Sequence, residues 1–294
     1  MDVYNPGQVF ACMGFLEAIA HLCDDVEGKF EWHNEREHWF VVRTPGELNP
    51  FEVVLEFLSG ARIVRLAPLR THCKESYPEQ SSSEEVKCPP NRAARQRNSW
   101  PKTEFTDTFP APTADDKVLP VRLERHCKAI VLSHWCDGSS RNPFKLFAGQ
   151  QKSYAIAEQM LGAIKELWNN HQKELAEDPF RYGASLGGST YKLDPRKSWT
   201  TIDVGYSPDE QSHSVQASPI VELLGALGLE HARPDEYETR RVRYAIWNCF
   251  LPPALARAAL GAALRGIPKR VFEFHLDLAG KNKVVTFSQE VNNP

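Results

Sequence analysis

Two of the Asn-Pro steps, Asn5-Pro6 and Asn49-Pro50, each followed by an apolar periodic run, limit the fold of this chain more than any other feature. Asparagine before a helix accepts hydrogen bonds from the open N–H groups of the first turn. Proline just after it has φ preset and lacks an N–H that would go unsatisfied. Each step therefore starts a helix. Behind the first, Phe10, Met13, Phe15, Leu16, Ile19, Ala20 and Cys23 recur at three- and four-residue spacing through to Asp24. Behind the second, Phe51, Val54, Leu55 and Leu58 form an apolar face that ends at Ser59-Gly60. Between them, Phe30-Glu31-Trp32 and His38-Trp39-Phe40-Val41-Val42-Arg43 are β-forming runs around a polar turn at Asn34-Glu35, a hairpin pattern. Asp2-Val3-Tyr4 and Ile63-Val64-Arg65-Leu66 are the flanking strand expectations.

The resulting order over residues 1–70 is βαββαβ, the α+β ferredoxin-like (RRM-like) unit, with two helices on one face of a four-stranded antiparallel sheet. Its other face is the one RNA-binding modules use. Residues 71–117 lose all periodicity: Ser81-Ser82-Ser83-Glu84-Glu85, Pro89-Pro90 and Pro110-Ala111-Pro112 mark a long irregular insertion. Within it Lys87, Arg92, Arg95, Arg97 and Lys102 occur with no acid among them, beside Trp100. This reads either as a solvated loop or as a mobile arm that neutralises phosphates and stacks a base. Residues 118–294 form a second α+β lobe or extend the first sheet. Strands are expected at 118–123, 129–135, 190–192, 201–204 and 241–249, helices at 150–175, from Pro219, and at 252–264. A closing hairpin joins 271–278 to 283–287 around Gly280-Lys281-Asn282.

Bulk properties leave this scheme open. Of 294 residues, 41% are hydrophobic and 25% charged, as in ordinary globular domains. No apolar run reaches membrane-spanning length, and Met1 to Pro6 lacks the basic start of a secretory signal, so the expected compartment is the cytoplasm. Seven irregularly spaced cysteines fit reduced thiols there. A net charge of −3 argues against a free-standing nucleic-acid binder, although a subunit touching RNA with one face needs only a local basic patch.

Motifs for catalysis are weak. Gly183-Ala184-Ser185-Leu186-Gly187 matches the G-x-S-x-G nucleophile elbow, with Asp203 and His213 or His231 following in hydrolase order. That motif needs a strand before the serine and a helix after it, whereas the flanking residues here read as loop running into strand. His72-Cys73, Cys88, His126-Cys127 and His134-x-Cys136 supply zinc-type ligands without a C-x-x-C pair. His134 and Cys136 would share a face if they lay on a strand. Neither a Walker A loop nor a dinucleotide-binding glycine fingerprint occurs, so no metal or cofactor is expected. Polar loops at element ends carry more. Arg141, Asn142 and Lys145 lie between a strand and a long helix, Lys192 and Arg196 in a second loop, and Lys281 and Lys283 at a hairpin tip. These residues suit phosphate contacts.

Val3-Tyr4-Asn5-Pro6-Gly7-Gln8-Val9-Phe10-Ala11-Cys12-Met13-Gly14-Phe15-Leu16-Glu17 resembles the N-terminus of a subunit family of the type I-G (formerly I-U) CRISPR effector complexes. The likeness continues at Ser133-His134-Trp135-x-Asp137-Gly138, Phe144-Lys145-Leu146-Phe147-Ala148-Gly149, Gly205-Tyr206-Ser207-Pro208, Ala232-Arg233-Pro234-Asp235-Glu236 and Gly280-Lys281-Asn282-Lys283-Val284-Val285-Thr286-Phe287. It implies a non-catalytic member of the repeat-associated RNA-binding superfamily, holding guide RNA while target DNA is tested and packing against other effector subunits. The same superfamily includes metal-independent RNA endonucleases, for which His126 and His134 are the candidates here.

Overall fold

Helix α1 (Pro6–Leu22) is mostly apolar and buried around its whole circumference, with every residue from Pro6 to Ile19 buried. A helix of that kind must be wrapped by protein on all sides, and the rest of the fold is arranged around it. The computed structural model describes residues 1–34, 37–66, 118, 120–136, 143–186, 190–197, 216–279 and 282–291. After α1 come β1 (Glu27–Trp32), β2 (His38–Arg43), α2 (Pro50–Gly60), β3 (Arg62–Arg65), β4 (Val121–Arg125), β5 (Lys128–Leu132) and α3 (Ser153–Glu177). β6 (Ala184–Ser185), a 3-10 turn (Pro195–Lys197) and β7 (Gln216–Ala217) lead to α4 (Pro219–His231). β8 (Asp235–Glu238), β9 (Arg241–Trp247), α5 (Pro253–Leu260), β10 (Lys269–Ala279), β11 (Asn282–Val285) and β12 (Gln289–Val291) complete the chain.

The architecture is α+β, with several small antiparallel sheets around the helices. β1 and β2 form a two-stranded hairpin, β3-β4-β5 a three-stranded sheet, and β11-β10-β9-β8 the largest sheet, with β12 also on β10. The order α-β-β-α-β occurs twice, as α1-β1-β2-α2-β3 and as α4-β8-β9-α5-β10. The leading helices of the two runs, α1 and α4, pack side by side and parallel. Gly7 meets Val221, Gly14 meets Leu224, and the rings of His21 and His231 face each other at the C-terminal ends.

Glycine makes this approach possible. A Cβ at Gly14 would collide with the carbonyl oxygen of Leu224, and one at Gly228 with that of Phe10. The two backbones touch directly at these positions, as only a residue without a side chain permits. Around the pair, Phe10 makes edge contacts with Phe144 and Tyr244, and Phe30 packs edge-on against Trp247. Trp247 Nε1 donates to the Gly28 carbonyl at 3.0 Å, and Tyr244 Oη donates to that of Val3 at 2.6 Å. Residues 1–66 and 118–291 thus contribute side chains to one continuous core.

Several sequence expectations require correction. Asp2-Val3-Tyr4 is a turn, because Asp2 Oδ1 accepts the Tyr4 N–H at 2.9 Å and so replaces a ladder partner. Residues 190–192 also bend instead of extending: Thr190 Oγ1 accepts the Lys192 N–H at 3.2 Å, and Lys192 sits at φ 64°. β5 ends at Leu132, so His134 and Cys136 lie in a turn closed by Cys136 N–H donating to Ser133 O at 2.8 Å, not on a strand. The alanine-rich helix stops at Leu260, with Ala262 at φ 58° beyond it. β6, β7, β8 and β12 are too short or too polar to stand out in the sequence. The insertion at 71–117 and the strand expected at 201–204 lie outside the described residues.

Replacing Gly14 or Gly228 by alanine should destabilise the protein by about 3 kcal/mol, the upper end of ordinary overpacking, because backbone atoms cannot yield. Gly162, exposed in α3 with nothing near its Cβ position, is the counter-case. Gly162→Ala should stabilise by about 1 kcal/mol through helix propensity alone. Chemical denaturation midpoints of the three variants check both signs.

Candidate nucleic-acid interface

The N-terminal ends of α1 and α4 converge, and one buried carboxylate joins them. Asn5 caps α1 by accepting the Gln8 N–H at 3.2 Å, and its Nδ2 donates to Asp194 Oδ1 at 3.2 Å. Ser218 caps α4 by accepting the Val221 N–H at 3.3 Å, and its own N–H donates to Asp194 Oδ2 at 3.1 Å. Asp194 is fully buried and would be prohibitively costly as a lone charge. Arg196 compensates it, with Nε at 2.9 Å from Oδ1 and Nη2 at 2.6 Å from Oδ2. Beneath it, Glu222 accepts the N–H of Asp194 at 3.0 Å and that of Leu193 at 3.5 Å. Burial pushes the Glu222 pKa up to about 7. The neighbouring Asp194 charge adds to the rise, while the two backbone N–H groups and Lys192 oppose it.

The loop carrying Asp194 also closes an aromatic cluster. Tyr191 stacks on Trp135 with ring centres 5.0 Å apart, and Phe147 meets both rings edge-on. Trp135 and Tyr191 are completely enclosed, so they hold the loops and cannot stack an RNA base. Tyr191 Oη donates to the Ser153 carbonyl at 3.0 Å, fixing the start of α3. Lys145 lies over the Phe147 ring, its Nζ 4.2 Å from the centroid and 2.5 Å from the Phe147 carbonyl oxygen.

Three of the cations expected to contact RNA therefore meet on one scaffold: Lys145, Lys192 and Arg196. They differ in availability. Arg196 has its charge committed to Asp194, and its side chain is one-third exposed. Lys192 is half-buried in the bend after Tyr191, and its charge acts on Glu222. Lys283 is elsewhere, on β11 opposite Leu278. Arg92, Arg95, Arg97, Trp100, Arg141, Asn142 and Lys281 lie outside the described residues. The signal for Asp194 and Glu222 was present only as acids among loop and helix residues. Nothing in their spacing connects either to Asn5.

The two histidines singled out for cleavage stand apart. His126 is exposed at the β4–β5 turn, at φ 53°, whereas His134 follows the other end of β5. His134 is buried, with its ring against Trp135 at 4.7 Å. Burial, aided by the Arg233 charge, pulls its pKa down to about 3 against an opposing hydrogen bond with the Phe144 backbone. A neutral, enclosed imidazole lacks the imidazolium proton that a general acid donates near pH 7.

Ser185 does not form a nucleophile elbow. It lies within the two-residue β6, paired to Gln216, and the described residues 190–194 beyond it are not helical. His231 is at the far end of α4, a helix about 20 Å long at 1.5 Å per residue. Asp203 and His213 lie outside the described residues. Among the described residues no cluster of three or more His, Cys, Asp or Glu side chains is placed to hold a metal ion, and no helix is long and apolar enough to cross a membrane. No protein-family model, curated protein or solved structure matches this chain.

The raised pKa of Glu222 has a definite thermodynamic sign. Its folded value, about 7, exceeds the ordinary 4.5, so folding favours the protonated acid. That stabilisation is complete below about pH 4.5 and is lost as pH rises to about 7. Glu222→Gln keeps one acceptor and removes the titration, while His134 titrates equally in both proteins and cancels. The stability of wild type relative to Glu222→Gln should fall by about 3 kcal/mol across that window. Denaturation curves at pH 4.5 and pH 7.5 measure it.

Proposed function

We propose that this chain is an RNA-holding subunit of a CRISPR effector complex, working in the cytoplasm, with a ferredoxin-like core in residues 1–70. Guide RNA is the nucleic acid held by its basic loops. Target DNA and the other effector subunits are its further partners. The family resemblance supplies the role. The observation that carries the residue-level reading is the convergence of Lys145, Lys192 and Arg196 on one rigid platform, anchored by Asp194 and the Trp135–Tyr191 stack. Arg141 and Asn142 precede that platform directly in the chain. A firm scaffold under cationic side chains suits backbone contact, because phosphate spacing is constant while base identity varies.

Within this reading Lys192 and Lys145 neutralise phosphates, and Arg196 sets the loop that presents them. Lys192→Asn preserves the left-handed backbone, and Lys145→Met preserves side-chain length. Each should weaken binding of a single-stranded RNA and lower the slope of log affinity against log salt by about 0.7, the value for one phosphate contact on a single strand. Fluorescence polarisation at several salt concentrations provides the slopes. Wild-type protein without salt-dependent RNA affinity, both alone and with its complex partners, would refute the reading.

A further inference from the structure

A pocket of about 170 Å³ lies where β2, the start of α2 and the chain just past α3 come together. Four aromatic residues line it: Trp39 and Phe40 of β2, Phe51 of α2, and Phe180 beyond α3. Phe15 of α1 supports two of these walls, meeting Phe51 edge-on with ring centres 5.0 Å apart and Phe180 at 6.2 Å. Phe40 rests on Phe30 at 4.8 Å. Trp39 is 44% exposed, so much of its ring is left uncovered by the fold.

The remaining wall is acidic. Glu177 ends α3 and Asp178 follows it; both are exposed, and among the described residues neither forms an ion pair. One Asp178 oxygen accepts the Phe180 N–H at 3.2 Å. The C-terminal end of α3 adds its own partial negative charge. This wall is held firmly. The regular helix breaks at His171 (φ −139°, ψ 35°), whose ring stacks on Tyr182 at 4.1 Å. Past the break, Asn49 Nδ2 donates to the Ala176 carbonyl at 3.1 Å. Opposing charge is limited. The Met1 ammonium, also at the pocket, is engaged by the His38 carbonyl at 3.1 Å. Arg181 lies against the Tyr182 ring and does not line the pocket. Cys12 lines it without charge, because burial pushes its thiol pKa far up.

We propose that this pocket binds an arginine side chain of a partner protein, with the guanidinium held between Trp39 and the carboxylates of Glu177 and Asp178. Size limits the occupant first. The pocket is smaller than the roughly 300–1,000 Å³ of sites for drug-sized ligands and close to the ~150 Å³ that accepts one benzene. One side chain fits, whereas a nucleotide does not. Charge limits it next. Aromatic faces attract cations, indole most strongly, while an anion would face two carboxylates and a helix C-terminus. A guanidinium can lie flat on a ring and still donate its fork of N–H groups to carboxylates, which a compact ammonium cannot do. Its aliphatic stem would cover Phe51 and Phe180. Free arginine would bring its own α-carboxylate toward the acidic wall, and a residue within a polypeptide has none. The pocket is opposite in charge to the cationic loops, so the proposal stands apart from the RNA-holding reading.

The test titrates ¹⁵N-labelled full-length protein with N-acetyl-arginine amide and follows the Phe180 N–H by NMR. The neutral citrulline analogue, the lysine analogue and free arginine are titrated in parallel. The expected result is a saturable shift with the arginine amide, and binding of the citrulline analogue weaker by at least about fivefold, the scale of a cation–π contact. Trp39→Leu should weaken arginine-amide binding by about fivefold, and Glu177→Gln by about twofold, as for an exposed ion pair. Both side chains are exposed, so neither change threatens folding. Glu238→Gln, on β8 and away from the pocket, should leave binding unchanged. Equal binding of the citrulline analogue, or binding unaltered in Trp39→Leu, overturns the cation site. Tighter binding of the lysine analogue overturns the guanidinium assignment, and tighter binding of free arginine overturns the partner protein in favour of a small molecule. Absence of a saturable shift overturns the whole proposal and leaves the RNA-holding reading untouched.

Discussion

Direct backbone contact between α1 and α4 positions everything else in this protein. Gly14 and Gly228 let the helices approach until main-chain atoms touch, and the parallel arrangement brings like ends together. At the N-terminal ends this collects the two caps and the buried Asp194. At the C-terminal ends it collects His21, His231 and Glu17. A side chain at either glycine would push the helices apart and separate the members of both clusters.

The two ends solve the burial of charge differently. At the N-terminal end Asp194 is surrounded by donors, including Asn5, the Ser218 N–H and Arg196, so its charge is met by hydrogen bonds as well as by a cation. Glu222, buried and beside that carboxylate, is driven toward its protonated form instead, against its two backbone donors. At the C-terminal end Glu17 relies on a bidentate bond to Arg257, whose side chain reaches solvent. Paired buried charges are costly to break by removing one partner. That cost makes Asp194 and Glu17 effective anchors for the loops and rings around them.

Placing the cations on such anchors bears on how, in the proposed role, a chain of net charge −3 would meet RNA. Arg196 is largely neutralised by its own scaffold, Lys145 lies over the Phe147 ring, and the charge of Lys192 acts on the buried Glu222. The enclosed Trp135 and Tyr191 give the platform stiffness, not a stacking surface. In the proposed RNA-holding role, recognition on this face would be electrostatic and positional.

Helix starts were legible because capping is local: Asn5, Asn49 and Ser218 act within three residues of themselves, and each is followed by proline. The β1–β2 and β10–β11 hairpins were legible for the same reason, from short-range alternation around a turn. Asp2-Val3-Tyr4 and Thr190-Tyr191-Lys192 misled because a short polar side chain diverted the backbone from a strand. His134 was visible as a histidine but not as an enclosed one. By itself the sequence determined the main helices, the two hairpins, the α+β class and the list of cations. Tertiary structure alone decided that Asn5 meets Asp194 and Ser218, and that His21 faces His231. Those pairings arise from the contact surface of two helices distant in the chain, set by which glycines align across it, and no local pattern encodes that alignment.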